Sequence, residues 1–364
     1  MGAEDQTLCT GRREADEDHA VTPNAIREKQ LDGLRAFAAM SVVFYHYFYH
    51  YSLREGYYPY SDLLGLEGLF AYGHWGVQLF FVISGYVISL TINRSDSIFE
   101  FGVRRFARLY PPFVICSLPL KLFPASLLSF VPSITMIDPV ALNLMLPFVF
   151  TSMDGAYWSI FVEIKFYLVL VVLHFNLKPF GTLVDRFLAF GVISFCSLLL
   201  LQYAGLDAVA KGIRWLFFVD GFPWFAFGLC LYSYFHDGNS ASVVRLAIYA
   251  LFQVILLSAT DGLFASVVFS LAIPLLVYAA YKVTSVKRFL SNEKFAVVGR
   301  ASYSLYLLHQ FAGLTVIRWL ATLTGAEGAC SVLIALIVLG IFTWFAILLH
   351  KHFEVPCNRW IVSR

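Results

Sequence analysis

At 364 residues the chain is 59% hydrophobic and only 14% charged, with a net charge of +2. Soluble domains average about 25% charged residues and somewhat under half apolar, so this composition excludes a water-soluble fold and asks for a lipid bilayer as partner. So small a net charge gives no basis for nucleic-acid binding.

The stretch through Lys29 is polar and acidic, with Glu4, Asp5, Glu14, Asp16, Glu17 and Asp18. It has no basic segment leading into an apolar core and cleavage site, so residues 1–28 are expected to form a disordered cytoplasmic tail, not a signal peptide. Six cysteines, mostly within apolar runs, lack paired spacing and read as small packing residues.

Apolar runs of bilayer-spanning length then predict an all-α, polytopic transmembrane bundle of about ten spans. They lie near 31–51, 75–92, 110–130, 157–175, 187–204, 215–235, 245–259, 262–281, 302–323 and 331–350. Residues 131–156, with Pro132, Pro139 and Pro147, are apolar but broken, as in a re-entrant or interfacial segment. With the N-terminus inside, inner segments hold nineteen of the 26 Lys and Arg residues. Outer segments hold Arg54, Lys211 and Arg214, and the spans hold Arg35, Lys121, Lys165 and Arg318. That asymmetry predicts two cytoplasmic termini. A single transmembrane unit over 29–357 is expected, with no additional extracytoplasmic domain.

In the first span Arg35 and His46 are 11 positions apart, which puts them on one helix face about 16 Å apart in rise. Such residues are costly in a membrane unless they face a polar cavity. The plainer alternative is an Asp32–Arg35 pair at the inner interface, with His46 merely near the outer headgroups. His46 and His50 are also spaced as a metal pair, but no third ligand set accompanies them, and no metal is expected.

In the second span Gly76, Ser84 and Gly85 suit either close helix packing or a site. Arg104, Arg105 and Arg108 follow; on a helix Arg105 and Arg108 would present two guanidinium forks side by side, apt for phosphate, although inner loops are arginine-rich in any case. Trp158-Ser159 opens a span in which Glu163 and Lys165 cannot face each other, so Glu163 needs a partner on another helix, with Arg35 the obvious candidate. The run Ser302 to His309 and the Phe353-Glu354-Val355-Pro356 turn say little by themselves.

Taken together and in order, these elements resemble the acyltransferase-3 family of membrane acyltransferases. They are Asp32-Gly33-Leu34-Arg35-Ala36 with His46, Gly76 to Gly85, Arg105-x-x-Arg108 before Leu109-Tyr110-Pro111, Trp158 to Glu163, Ser302 to His309, and Phe353 to Pro356. The resemblance covers about residues 29–357. It implies transfer of acetyl or a related acyl group from acetyl-CoA or another acyl-CoA to a hydroxyl of a carbohydrate acceptor such as an envelope glycan, in a bacterial inner membrane. On that reading His46 is general base or acyl carrier, with Arg35 on its path. Arg105 and Arg108, helped by Arg104, hold cofactor phosphates. Glu163, Trp158, Ser159, Asp32, Ser84 and His309 are substrate-contacting or structural polar residues. Lys165 departs from the expected acidic or neutral residue. The rival class is a transporter or flippase using Arg35 and Glu163 as intramembrane charges; it predicts paired repeats, which the sequence does not show.

Overall fold

A computed structural model of the chain describes residues 28–50, 67–118, 127–178, 182–238, 241–258 and 262–363. The expected acidic tail, apart from Glu28, and Lys121 lie outside them. Every described element is helical. In chain order these are α1 (Lys29–Tyr45), α2 (Glu67–Ala71), α3 (Gly76–Ile92), α4 (Ile98–Ser117), α5 (Leu127–Thr135), α6 (Pro139–Met145), α7 (Trp158–Val171), α8 (Leu183–Tyr203) and α9 (Asp207–Leu216). There follow α10 (Phe222–His236), α11 (Ala241–Ser258), α12 (Leu263–Lys282), α13 (Thr284–Leu290), α14 (Glu293–Arg300), α15 (Ser302–Leu308), α16 (Leu314–Thr324), α17 (Ala329–Leu349) and α18 (Val355–Val362).

Five helical stretches are long and apolar enough to cross a membrane: Gly68–Ile92, Gly155–Asn176, Leu183–Tyr203, Leu263–Lys282 and Ala329–Val362. A sixth arises if Leu128–Thr135 and Pro139–Met145, bent by 113°, count as one. The other expected spans fall on helices that are shorter or carry charge. α1 holds Lys29, Asp32 and Arg35, and α10 has only 15 residues. Among the described residues, length and apolarity therefore single out five or six of the expected segments. The bend falls in the proline-broken stretch: Met136 takes φ 59°, and Asp138 caps α6 by accepting from the Val140 amide at 2.9 Å, with Pro139 opening the helix.

Two close approaches position everything else. α3 and α10 form the most extensive helix pair, and a Cβ on Gly85 or Gly228 would collide with the Phe225 or Val82 carbonyl opposite. α1 is seated on the α13–α14 corner in the same manner, through Gly33 against Leu290 and Gly299 against Asp32. Small residues let backbones meet where lipid supplies no hydrophobic drive. Behind this frame, Phe166 stacks on Phe225 at 4.0 Å and Phe187 on Phe222 at 4.3 Å, locking α7 and α8 to α10.

An added side chain is therefore predicted to act oppositely at two glycines. Gly85→Val should cost about 1–3 kcal/mol by overpacking. Gly102→Ala, in the interior of α4 with open space around its Cβ, should be neutral or stabilising by up to about 1 kcal/mol. Unfolding midpoints of the detergent-solubilised protein would check both signs.

Candidate active site

The α1 helix does not end at Tyr45. It widens into a π turn over His46–His50, and comparable turns cover His309–Gly313 after α15 and His350–Glu354 after α17. Each begins at a histidine. A π turn adds a residue to the helical repeat and re-aims the side chains there, and such turns recur at functional sites.

The first two bring their histidines together. The buried His309 places Nε2 at 3.1 Å from Nδ1 of His46, and its own Nδ1 lies 2.6 Å from the Tyr306 carbonyl. Nδ1 of His46 is also 3.0 Å from the Val42 carbonyl. Carbonyl oxygens only accept, so the network assigns the protons. His309 carries hydrogen on Nδ1 and offers a lone pair at Nε2. His46 donates from Nδ1 to Val42 and His309. The lone pair of a neutral His46 thus sits on Nε2. His50 packs beside it with ring centroids 5.5 Å apart.

The position of His309 is fixed from the neighbouring turn. Asp154, buried before α7, accepts from the Ala156 amide at 2.7 Å and the Phe311 amide at 2.9 Å, tying the start of α7 to the turn that begins at His309. Ser159 and Tyr306 meet at 2.8 Å, and Tyr306 also donates to the Ala156 carbonyl at 3.0 Å.

Below this pair lies a cavity lined by Arg35, Phe80, Ser84, Arg108, Ser159, Glu163, Tyr303 and Tyr306, among others. Tyr306 forms its wall toward the histidines, with its ring 5.3 Å from that of His309 and 5.9 Å from Phe80. At its other end a second concavity of about 950 Å³ shares Arg35, Arg108, Ser302 and Tyr303 and adds Arg300, His350, Glu354 and Arg359. The two share four lining residues, so the basic concavity adjoins the cavity, and Tyr306 stands between that cavity and His309.

The structure sorts the remaining expected residues. Arg35 is 3.5 Å from the buried Asp32, the plainer pairing, yet it also lines both cavities. Glu163 shares the cavity with Arg35 but is held by the hydroxyls of Ser84 and Tyr167 in place of the expected guanidinium. Gly76 and Gly85 face helix backbones while Ser84 faces the cavity, so one motif serves packing and site together. Trp158 lies on the opposite side of α7, half exposed.

The three arginines of α4 diverge. Arg108 is exposed and lines the mouth. Arg105 turns inward, donating to Thr91 at 2.9 Å and lying over the rings of Phe101 and Tyr167. Arg104 pairs with Glu100 at 2.6 Å, away from the path; the Asp96 amide and this guanidinium hold the Glu100 carboxyl below its usual range. Arg105 and Arg108, expected as side-by-side forks, thus have different surroundings, Arg105 against Thr91 and two rings and Arg108 at the mouth. Sequence reasoning missed Arg300 and Arg359, which come to the mouth because α18 packs on α4. It also missed the Glu354 carboxylate, which accepts from Ser304 and lies 2.7 Å from Nδ1 of His350.

A family model described as an acyltransferase domain matches residues 28–351. The chain belongs to the acyltransferase-3 family. Among similar proteins, the O-acetyl transferase of Shigella phage Sf6 is 28% identical over 229 residues, 58% of this chain and 64% of that protein. Acyltransferase MdmB of Streptomyces mycarofaciens is 27% identical over 156 residues, 41% of this chain and 39% of that protein. The chain thus spans less than two thirds of either relative. No solved structure matches. Family membership and the apolar helices make this an integral membrane protein.

The proton assignment predicts a graded series. His309→Ala should lower acyl transfer by about 10–100-fold through loss of tautomer and orientation. His309→Gln, which can accept near the old Nε2 position, should recover part of that loss. His46→Ala should lose about 10²–10⁴-fold. Initial rates with one acyl donor would check the order.

Proposed function

We propose that the protein is a membrane O-acyltransferase that moves an acetyl or related acyl group from acyl-CoA to a hydroxyl of a carbohydrate acceptor. The observation that carries this reading, within an acyltransferase family, is an arginine-lined concavity adjoining a polar cavity whose Tyr306 wall backs onto a histidine pair with a lone pair to spare.

The donor is a polyanionic nucleotide joined by a flexible arm to a thioester. Arg108 and Arg359 line the mouth with no ion pair among the described residues, and Arg300 stands beside them, 2.5 Å from Glu293. Guanidinium groups at such a mouth suit phosphate oxygens. Serine and tyrosine hydroxyls with apolar rings line the cavity and suit a pantetheine arm.

At the far end the acceptor hydroxyl donates to Nε2 of His46. Its oxygen attacks the thioester carbonyl as the proton moves to Nε2. The tetrahedral intermediate then collapses, the carbon–sulfur bond breaks, and the departing thiolate takes the proton from Nε2. The Val42 carbonyl and His309 hold the imidazole throughout. An acyl-histidine route would use the same lone pair. In a bundle with the basic end at the cytoplasm, the donor enters from inside. His46 then stands about 22 Å along α1 in a layer about 30 Å thick, nearer the outer face. A bacterial inner membrane with both termini inside accords with the positive-inside asymmetry.

Purified protein supplied with acetyl-CoA or succinyl-CoA and a cell-envelope glycan extract should release coenzyme A. Arg108→Ala/Arg359→Ala should raise the donor KM about tenfold or more with kcat little changed. An unchanged KM would remove these arginines from the donor site. Coenzyme A release undiminished by His46→Ala would place the base elsewhere.

A further inference from the structure

Lys165, the one residue out of keeping with the family pattern, does not face the reaction cavity. α7 presents Ser159, Ile160 and Glu163 to that cavity and Trp158, Phe161, Val162 and Lys165 to a separate groove of about 870 Å³ on its other side. Asp138, Ser152, Arg214, Trp215, Phe218 and Asp220 complete the polar and aromatic part of its lining.

The charges here are matched within the groove. Lys165 Nζ lies 2.9 Å from Asp138 Oδ2, 3.2 Å from the Trp215 carbonyl and 3.9 Å from the Trp215 ring centroid. Trp215 Nε1 donates to the same Asp138 oxygen at 3.0 Å. Arg214 forks onto Asp220 at 2.8–3.0 Å. Two cations against two carboxylates leave no net charge, so the groove has no preference for a phosphate or an acidic polymer. Four charged side chains suit an acyl tail no better, since they would have to be buried against it. Fixed hydrogen-bonding groups beside two indoles, one of them half exposed at Trp158, fit a ligand with an apolar face and a rim of hydroxyls. A neutral sugar ring is such a ligand.

The groove also borders the turn that carries His309. Gly155, in its lining, abuts Gln310: a Cβ there would lie 2.7 Å from Nε2 of that amide. Gln310 follows His309 in the chain, so a ligand in the groove would lie beside the segment that positions the histidine pair.

We propose that this groove seats neutral sugar rings of the acceptor next to the one being acylated, with Trp158 and Trp215 as stacking surfaces and the Lys165–Asp138 pair as hydrogen-bonding anchor. The proposal rests on the acyltransferase reading above and names its acceptor as a neutral glycan of several residues.

Saturation-transfer NMR on the full chain in detergent tests it, with maltoheptaose and galactomannan oligomers as neutral probes and oligogalacturonate as the acidic counterpart. Saturation of at least one neutral probe by the wild type is expected, with apparent affinity about five- to tenfold weaker in Trp158→Ala and partly restored in Trp158→Phe. Asp138→Asn should weaken binding similarly, and Gly102→Ala, remote from the groove's lining, should bind as the wild type does. Three results would overturn the proposal: no neutral probe bound, equal binding by Trp158→Ala, or preference for the acidic probe. Neutral binding lost in Trp158→Ala, alongside a wild type that releases no coenzyme A from any donor, would sink the acyltransferase reading while leaving the groove a sugar site.

Discussion

The contact between His46 and His309 is the constraint on which the site depends. An imidazole inside a bundle must satisfy both ring nitrogens or leave one free for work. Here Val42 and His309 occupy one nitrogen of His46, and the Tyr306 carbonyl occupies the far nitrogen of His309. The free lone pair follows from hydrogen-bond directions alone. Holding that contact requires α1 and α15 to stay in register. Gly33 and Gly299 seat α1 closely on its neighbours, and Asp154 ties the start of α7 to the turn carrying His309.

Interior polarity is arranged by the same economy. Charged or ionisable groups in an apolar bundle persist when they are paired or face a cavity, and each one here does so differently. Glu163 takes two hydroxyls, Lys165 takes a carboxylate and an indole, and Arg105 takes a threonine and two aromatic faces. At the mouth Arg108 and Arg359 have no ion-pair partner among the described residues, while Arg300 pairs with Glu293 and Arg35 with Asp32. Arginine density along the chain does not show which guanidinium groups meet there; the convergence of α4, α14 and α18 does.

Much of this was legible in the sequence. The helical class and the break after residue 131 both follow from periodicity and proline chemistry. The family motifs at Gly76–Gly85 and Ser302–His309 were visible, but their division of labour was not. Whether Ser84 or Gly85 meets a cavity depends on where α10 lies, which one chain's spacing cannot reveal. His309 was singled out without a role because its partner sits 263 positions away. Arg105 turns inward where Arg108 faces out, because i, i+3 spacing says that two side chains are neighbours, not that both face the same surroundings. Fewer segments meet the length and apolarity of a crossing than the sequence suggests because several apolar runs fall on charged or shortened helices.

The central claim is directional: the donor enters at the basic mouth and the acceptor meets His46 from the opposite end. Proteoliposomes with the protein in one known orientation, acyl-CoA sealed on one side and glycan acceptor on the other, test it directly. The account predicts acylated glycan when acyl-CoA faces the Arg108–Arg359 end and the acceptor faces the other, and none when the two are exchanged. Acylation only when donor and acceptor share one side would contradict it.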